Sequence, residues 1–153
     1  NIDSIDLKIL NELQRDASLS NVELANRVHL SASPCLVRVR ELERSGLIRQ
    51  YVALLDAHQL GLHLNVFISI SLKQQSRQAL QAFEERVCAR EEVMECYLMT
   101  GDADYLLRVA LADMPALERF ILEQLSPIAQ IEKIRSSFAL KQVRYKTALP
   151  IAL

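Results

Sequence analysis

The sequence predicts an α+β chain, with a helical first third followed by a β-α-β-β-α-β sheet domain. Three observations predict it. Helical hydrophobic spacing with capping residues recurs three times before residue 50. At Leu64 the period changes to strict alternation. From there strand-type and helix-type stretches follow one another in the βαββαβ order of a split βαβ unit.

Asp3 can cap a first helix in which Ile5, Ile9, Leu10 and Leu13 keep helical phase to about Arg15. Ser20 and Glu23 have the spacing of a capping box, in which each side chain satisfies the other's backbone N–H. Val22, Ala25 and Val28 share one face of a short second helix that ends near His29. A tight turn leads to Leu30–Ile48, around which the first part is organised. Ser31 or Ser33 can cap this third helix. Pro34 falls in the first turn, where a missing N–H costs nothing. Leu36, Val39 and Leu42 mark its buried stripe, and Gly46 suits its C-terminal stop. Two helices joined by a tight turn make a helix-turn-helix. Leu47–Leu55 is β-prone and reads as a wing strand.

Asp56–His63 is a connector. Leu64, Val66, Ile68, Ile70 and Leu72 then alternate with polar or open positions, the pattern of a strand with one face on a core. Gln75–Arg90 is helical, with Leu80, Phe83 and Val87 inward. Val93–Met99 and Tyr105–Leu111 are strands joined by the polar turn Thr100-Gly101-Asp102-Ala103-Asp104. Asp113 caps another helix, with Pro115 in its first turn. Ile131 to about Tyr145 is a last strand, whose apolar parity slips between Leu140 and Val143. The domains are therefore 1–56 for the winged helix-turn-helix, 57–63 for the linker and 64–153 for the ferredoxin-like domain.

Formal net charge is -1, so any nucleic-acid contact must come from a local patch. Residues 1–50 carry seven Lys or Arg against seven Asp or Glu, with acids toward the first helix and arginines toward the third. Ser31, Ser33, Pro34, Arg38, Arg40 and Arg44 are the candidate DNA-binding residues. Hydroxyl and guanidinium donors suit phosphates, and whatever reaches deeper meets base edges of double-stranded DNA. Arg38 and Arg40 are the best of these, although Arg40 lies close enough to the buried stripe to form a salt bridge with an acid of helix one instead.

Cys35, Cys88 and Cys96 are odd in number and far apart, which fits a reducing compartment without a disulfide framework. No apolar run spans a bilayer, and no signal peptide is present, so the sequence reads as cytoplasmic and nucleoid-associated. Cys35 near a helix start could have a lowered thiol pKa and a redox role, but a small packing residue is the better expectation. His29, His58 and His63 have no metal-ligand spacing with the cysteines. Nucleotide-binding glycine motifs and a nucleophile elbow are both lacking, so the chain reads as no enzyme and needs no cofactor.

Several motifs together resemble the leucine-responsive/asparagine-responsive (Lrp/AsnC) family of transcriptional regulators. They are Asp3-Ser4-Ile5-Asp6-Leu7-Lys8-Ile9-Leu10, Leu30-Ser31 with Pro34-Cys35, Arg38-Val39, Leu42-Glu43, Gly46-Leu47-Ile48, and Thr100 through Leu107. Ser136-Ser137-Phe138 and Thr147-Ala148-Leu149-Pro150 point to the bacterial leucine-responsive branch. Where many relatives carry Lys or Arg in the recognition helix, this chain has Val37 and Glu41. The resemblance implies a winged helix-turn-helix followed by an amino-acid-sensing (RAM/ACT-like) domain. It also implies homodimers formed by sheet-to-sheet pairing, often assembled as rings of four dimers, and an operator that is a pseudo-palindrome. Its effector is a free amino acid bound between subunits, here at Met99, Thr100, Gly101, Asp102, Asp104, Tyr105, Leu107 and Ser136. Asp104 can take the ammonium, turn N–H groups the carboxylate, and Leu98, Met99 and Leu107 an aliphatic side chain. Leucine or methionine is favoured, with cysteine as an alternative. Two other readings stand beside this one. The chain could be an architectural DNA-binding protein without effector, or an amino-acid-binding module without specific DNA binding.

Overall fold

The computed structural model describes residues 1–153. They form two compact units, Asn1–Leu54 with Val143–Leu153, and Leu55–Gln142.

The first unit holds α1 (Ser4–Arg15), α2 (Asn21–Arg27) and α3 (Ala32–Arg44). Asp3 caps α1. Its carboxylate accepts the Asp6 N–H at 2.9 Å while the Asp6 carboxylate accepts the Asp3 N–H at 3.3 Å, so the reciprocal capping box forms here. The box expected at Ser20 forms by one half only, with the Ser20 hydroxyl accepting from the Glu23 N–H at 3.1 Å. Ile9, Leu24, Ala25, Val28, Cys35 and Leu42 are buried together as this unit's core. Ser31 occupies the N-cap of α3 but its hydroxyl makes no capping bond. Gly46 (φ +85) ends that helix, and the Ile48 N–H returns to the Leu42 carbonyl at 3.1 Å.

Two expectations for this unit fail. Leu47–Leu55 is not a strand. Its residues are β-prone, but a strand needs a neighbouring edge to take its N–H and C=O groups, and this chain offers none there. The last eleven residues, which the sequence reading places in the second domain, pack with the first unit. Gln14 holds Leu149 across 135 positions of sequence, a pairing that leaves no periodic trace.

In the second unit a short 3₁₀ turn (His58–Leu60) precedes β1 (Leu64–Leu72), α4 (Arg77–Cys88), β2 (Val93–Leu98), β3 (Tyr105–Leu111), α5 (Met114–Arg119), a π-helical turn (Phe120–Leu125) and β4 (Ile131–Phe138). The sheet order is β2-β3-β1-β4, and all neighbours are antiparallel. This is the expected βαββαβ order. Alternation in β1 puts Val66, Ile68, Ile70 and Leu72 into a core with Phe83, Val87, Tyr105, Leu107, Val109, Leu117, Phe120 and Leu125. Ser76 and Asp113 cap α4 and α5 through the Ala79 and Ala116 N–H groups. β4 stops at Phe138, opposite Val66 and well short of Tyr145.

His29 is the one non-glycine residue with positive φ (+59), set where α2 turns into the approach to α3. A β-branched side chain there meets its own backbone. His29→Val is therefore expected to destabilise the first unit by about 1–2 kcal/mol, and His29→Gly to leave it unchanged or better. Thermal unfolding followed by circular dichroism checks both.

Candidate DNA-binding and effector sites

On α3 the buried positions Cys35 and Leu42 lie opposite one solvent-facing stripe. At 3.6 residues per turn, Ser33, Val37, Arg40 and Arg44 fall within about 60° of one another on that stripe. All four are exposed. Arg40 makes no ion pair. Arg44 is held at 2.5 Å by Glu41 one turn back, an exposed pair that a phosphate can replace at little cost. Val37, a departure from the family pattern, is 68% exposed in the middle of the stripe. Its apolar side chain stands among the polar and cationic residues of that stripe. Ser31 and Pro34 are exposed at the helix start.

The salt bridge to helix one is made by Arg38, not by Arg40. Its guanidinium bonds Asp3 at 2.7 Å and Asp6 at 3.0 Å. Arg38 therefore closes the N-terminus of α1 from the flank of α3, and Arg40 is the cation left free to face outward. The Arg38 hydrogen bond holds the Asp3 carboxyl below its ordinary value, and Asp3 in turn raises Arg38. Cys35 is fully buried, and burial pushes its thiol up rather than down, so it packs and is not an activated thiolate.

In the second unit Gly101 (φ +109) turns the chain between β2 and β3, a conformation that a side chain would strain. The Asp104 N–H bonds the Ile70 carbonyl at 3.0 Å, and the Met99 N–H bonds the Asp104 carbonyl at 2.8 Å. Between these two anchors the N–H groups of Thr100, Gly101, Asp102 and Ala103 donate to nothing in the chain. Asp102 is exposed with a free carboxylate, and Met99 (44%) and Leu98 (61%) stand exposed beside it.

Other expected effector residues are committed elsewhere. One oxygen of Asp104 accepts the Leu72 N–H at 2.7 Å and the Gln75 side-chain amide at 3.3 Å, which fastens the end of β1 to the turn. Its second oxygen remains open. Tyr105 is buried against Phe83, with ring centroids 4.6 Å apart, and its hydroxyl donates to Glu84. Burial first, and Glu84 next, push that phenol up. Leu107 is wholly buried in the core. Odd-numbered positions of β3 face the helices, so Tyr105 and Leu107 frame the site from below and do not line it in the single chain. Ser136 pairs with Ile68, half-buried on the edge strand β4. Next to the Leu72–Asp104 anchor lies an open cleft of about 220 Å³ lined by Lys73, Gln74, Ala79, Ala129 and Gln130, which the sequence reading did not name. His58 and His63 meet edge to face with Nδ1 atoms 2.8 Å apart, away from any cysteine. No group of three or more His, Cys, Asp or Glu is close enough to hold a metal ion.

Two family models cover nearly the whole chain. Residues 2–49 match a winged helix-turn-helix DNA-binding domain and residues 65–149 the Lrp/AsnC ligand binding domain. The chain belongs to the Lrp/AsnC family. It is 45% identical to the Bkd operon transcriptional regulator of Pseudomonas aeruginosa over 98% of both chains. It is 42% identical to the leucine-responsive regulatory protein of Escherichia coli K12, over 98% of this chain and 92% of that one. A transcriptional regulator from Neisseria meningitidis, solved in complex with L-methionine, superposes with a TM-score of 0.93 at 41% identity, covering 98% and 97% of the two chains. An Lrp/AsnC chain of this make-up is a DNA-binding transcriptional regulator with an amino-acid-binding domain, not an enzyme. The two domains together favour the regulator reading over both alternatives left open by the residues.

Two outcomes follow from this geometry. Asp104→Ala is expected to cost the second unit about 1–3 kcal/mol, because the Leu72 N–H loses a charged acceptor; chemical denaturation measures it. The depressed Asp3 carboxyl contributes stability that is present above its ordinary pKa of 3.8 and is lost as pH falls through its lower folded value. Arg38→Gln is expected to move that carboxyl back toward 3.8, as an NMR carboxyl titration will read.

Proposed function

We propose that this regulator binds a free aliphatic amino acid at the Gly101 turn, between subunits of a homodimer or larger ring, and that the ligand alters DNA binding or assembly. The observation that carries this reading is the run of unpaired N–H groups from Thr100 to Ala103 beside the free Asp102 carboxylate and the exposed Leu98 and Met99. An amino acid needs carboxylate-binding donors, an ammonium acceptor and apolar surface, and this turn presents all three. Asp102 and the open oxygen of Asp104 are the ammonium acceptors. Leucine and methionine fit the apolar side best, cysteine less well. The methionine complex of the Neisseria relative supports the same class.

The second subunit completes the site. Met94, Tyr97, Leu98 and Met99 on or beside edge strand β2, and Phe138 at the end of β4, are exposed apolar side chains on one small unit, more than a lone chain normally leaves in water. On DNA, two α3 helices of a dimer enter successive major grooves about one helical turn apart, which makes the operator a pseudo-palindrome. Arg40, Arg44, Ser31 and Ser33 hold phosphates or base edges, with Pro34 setting the helix start, and Arg38 positions the helix from behind. The site of action is the nucleoid.

Fluorescence anisotropy on DNA from upstream of the regulator's own gene, at fixed salt and with each common amino acid in turn, tests this reading. Leucine or methionine should shift the affinity by about 5–150-fold, the range of typical allosteric coupling. A chain whose DNA affinity and assembly no amino acid alters would sink the effector reading. Arg40→Ala should weaken binding to all sequences and lower the salt slope by about one. Arg38→Ala should lower the melting temperature of the first unit and leave that slope unchanged.

A further inference from the structure

The chain passes between its two units twice, once at Leu54–Leu55 and again at Gln142–Val143. After the second passage, Val143–Leu153 runs without regular structure and packs within the first unit. One side chain holds it there. The Gln14 amide on α1 donates to the Leu149 carbonyl at 2.7 Å and accepts the Leu149 N–H at 2.7 Å. A primary amide thus reads both polar groups of one backbone residue, as a neighbouring strand would. Asn11, one turn earlier on α1, accepts from the same Gln14 amide at 3.2 Å and fixes its orientation. Leu149 itself is 71% exposed, so its backbone is what is recognised. Ala148 and Ile151 on either side are half-buried. Pro150, next in line, has no N–H to satisfy and keeps Leu149 extended.

We propose that the α1 surface around Gln14 is a docking site for the chain's own C-terminal segment, and that the docked segment is a second tether restraining the DNA-binding unit. A unit on one linker samples many orientations; a second attachment removes most of them. In a dimer this raises the effective concentration of the second recognition helix once the first is bound. The gain is confined to DNA that engages both helices. This use of the tether rests on the dimer and two-half-site operator proposed above.

The test uses the full chain and two variants, Gln14→Ala on the helix and Leu149→Pro in the tail, the latter removing the donated N–H while α1 stays intact. Amide hydrogen exchange reads the Leu149 N–H, and anisotropy compares the upstream duplex with the same duplex cut to one half-site. The expected result is a protected Leu149 amide in the full chain and loss of that protection in Gln14→Ala. In both variants two-half-site affinity should fall several-fold, with single-half-site affinity unchanged. A Leu149 amide that exchanges freely in the full chain overturns the docking site. Loss of protection with unchanged two-half-site affinity overturns the restraint. A fall on both duplexes alike also overturns it, by showing that the variants only damage the helical unit. If the unaltered chain shows no preference for two half-sites, the operator reading fails, and protection at Leu149 alone decides the docking site.

Discussion

The burial of one face of β1 is the constraint on which the second unit depends. Val66, Ile68 and Ile70 are fully buried and Leu72 is 1% exposed. Side chains of a strand alternate, so a slip of one residue would expose all four and bury Phe67, Ser69 and Ser71 instead. Each such side chain contributes about 1.5–3 kcal/mol when buried. That cost locks the register on both sides, to β3 through Ile70–Tyr105 and to β4 through Ile70–Ile134. Locking the β3 register in turn places the Gly101 turn beside the end of β1. There Ile70 and Leu72 take up the backbone and the carboxylate of Asp104. The turn is rigid at its two ends and unsatisfied between them, a suitable form for a ligand site made of backbone groups.

In the helical unit the corresponding constraint is electrostatic and local. Two arginines two residues apart on one helix cannot face the same way, because each step turns the helix by about 100°. Arg38 faces the flank, where Asp3 and Asp6 form the capping box of α1, and joins it. Arg40 is left outward. Two acids that cap one helix therefore also tie down the flank of the next through Arg38. The zero charge sum of residues 1–50 hides three arginines that are paired within the unit, Arg38 with Asp3 and Asp6, Arg27 with Glu12, and Arg44 with Glu41. The outward stripe is more basic than that sum suggests.

The elements themselves were largely legible. The period of Leu64–Leu72, the Asp3 and Asp113 caps and the turn at Gly101 are local patterns, and local patterns survive folding when the core agrees with them. The site was legible in part. The turn was marked by its residue types, but Tyr105 and Leu107 belong to the core, since odd positions of β3 share the face of Val109 and Leu111. A motif names neighbours in sequence, and in a strand alternate neighbours part company. The cleft at Lys73 and Gln130 gave no sign in sequence, because its walls come from segments fifty or more residues apart.

The sequence by itself determined the order of helices and strands, the family, and the presence of a helix-turn-helix and a glycine turn. These depend on spacing, capping and backbone freedom, all of which act over a few residues. Tertiary structure alone decided which arginine faces outward, that Leu47–Leu55 lacks a strand partner, and that Val143–Leu153 returns to α1 through Gln14. Each is a choice among partners distant in the chain. Ion pairs, strand edges and side-chain amides accept many partners of similar energy, so only the packed arrangement selects one.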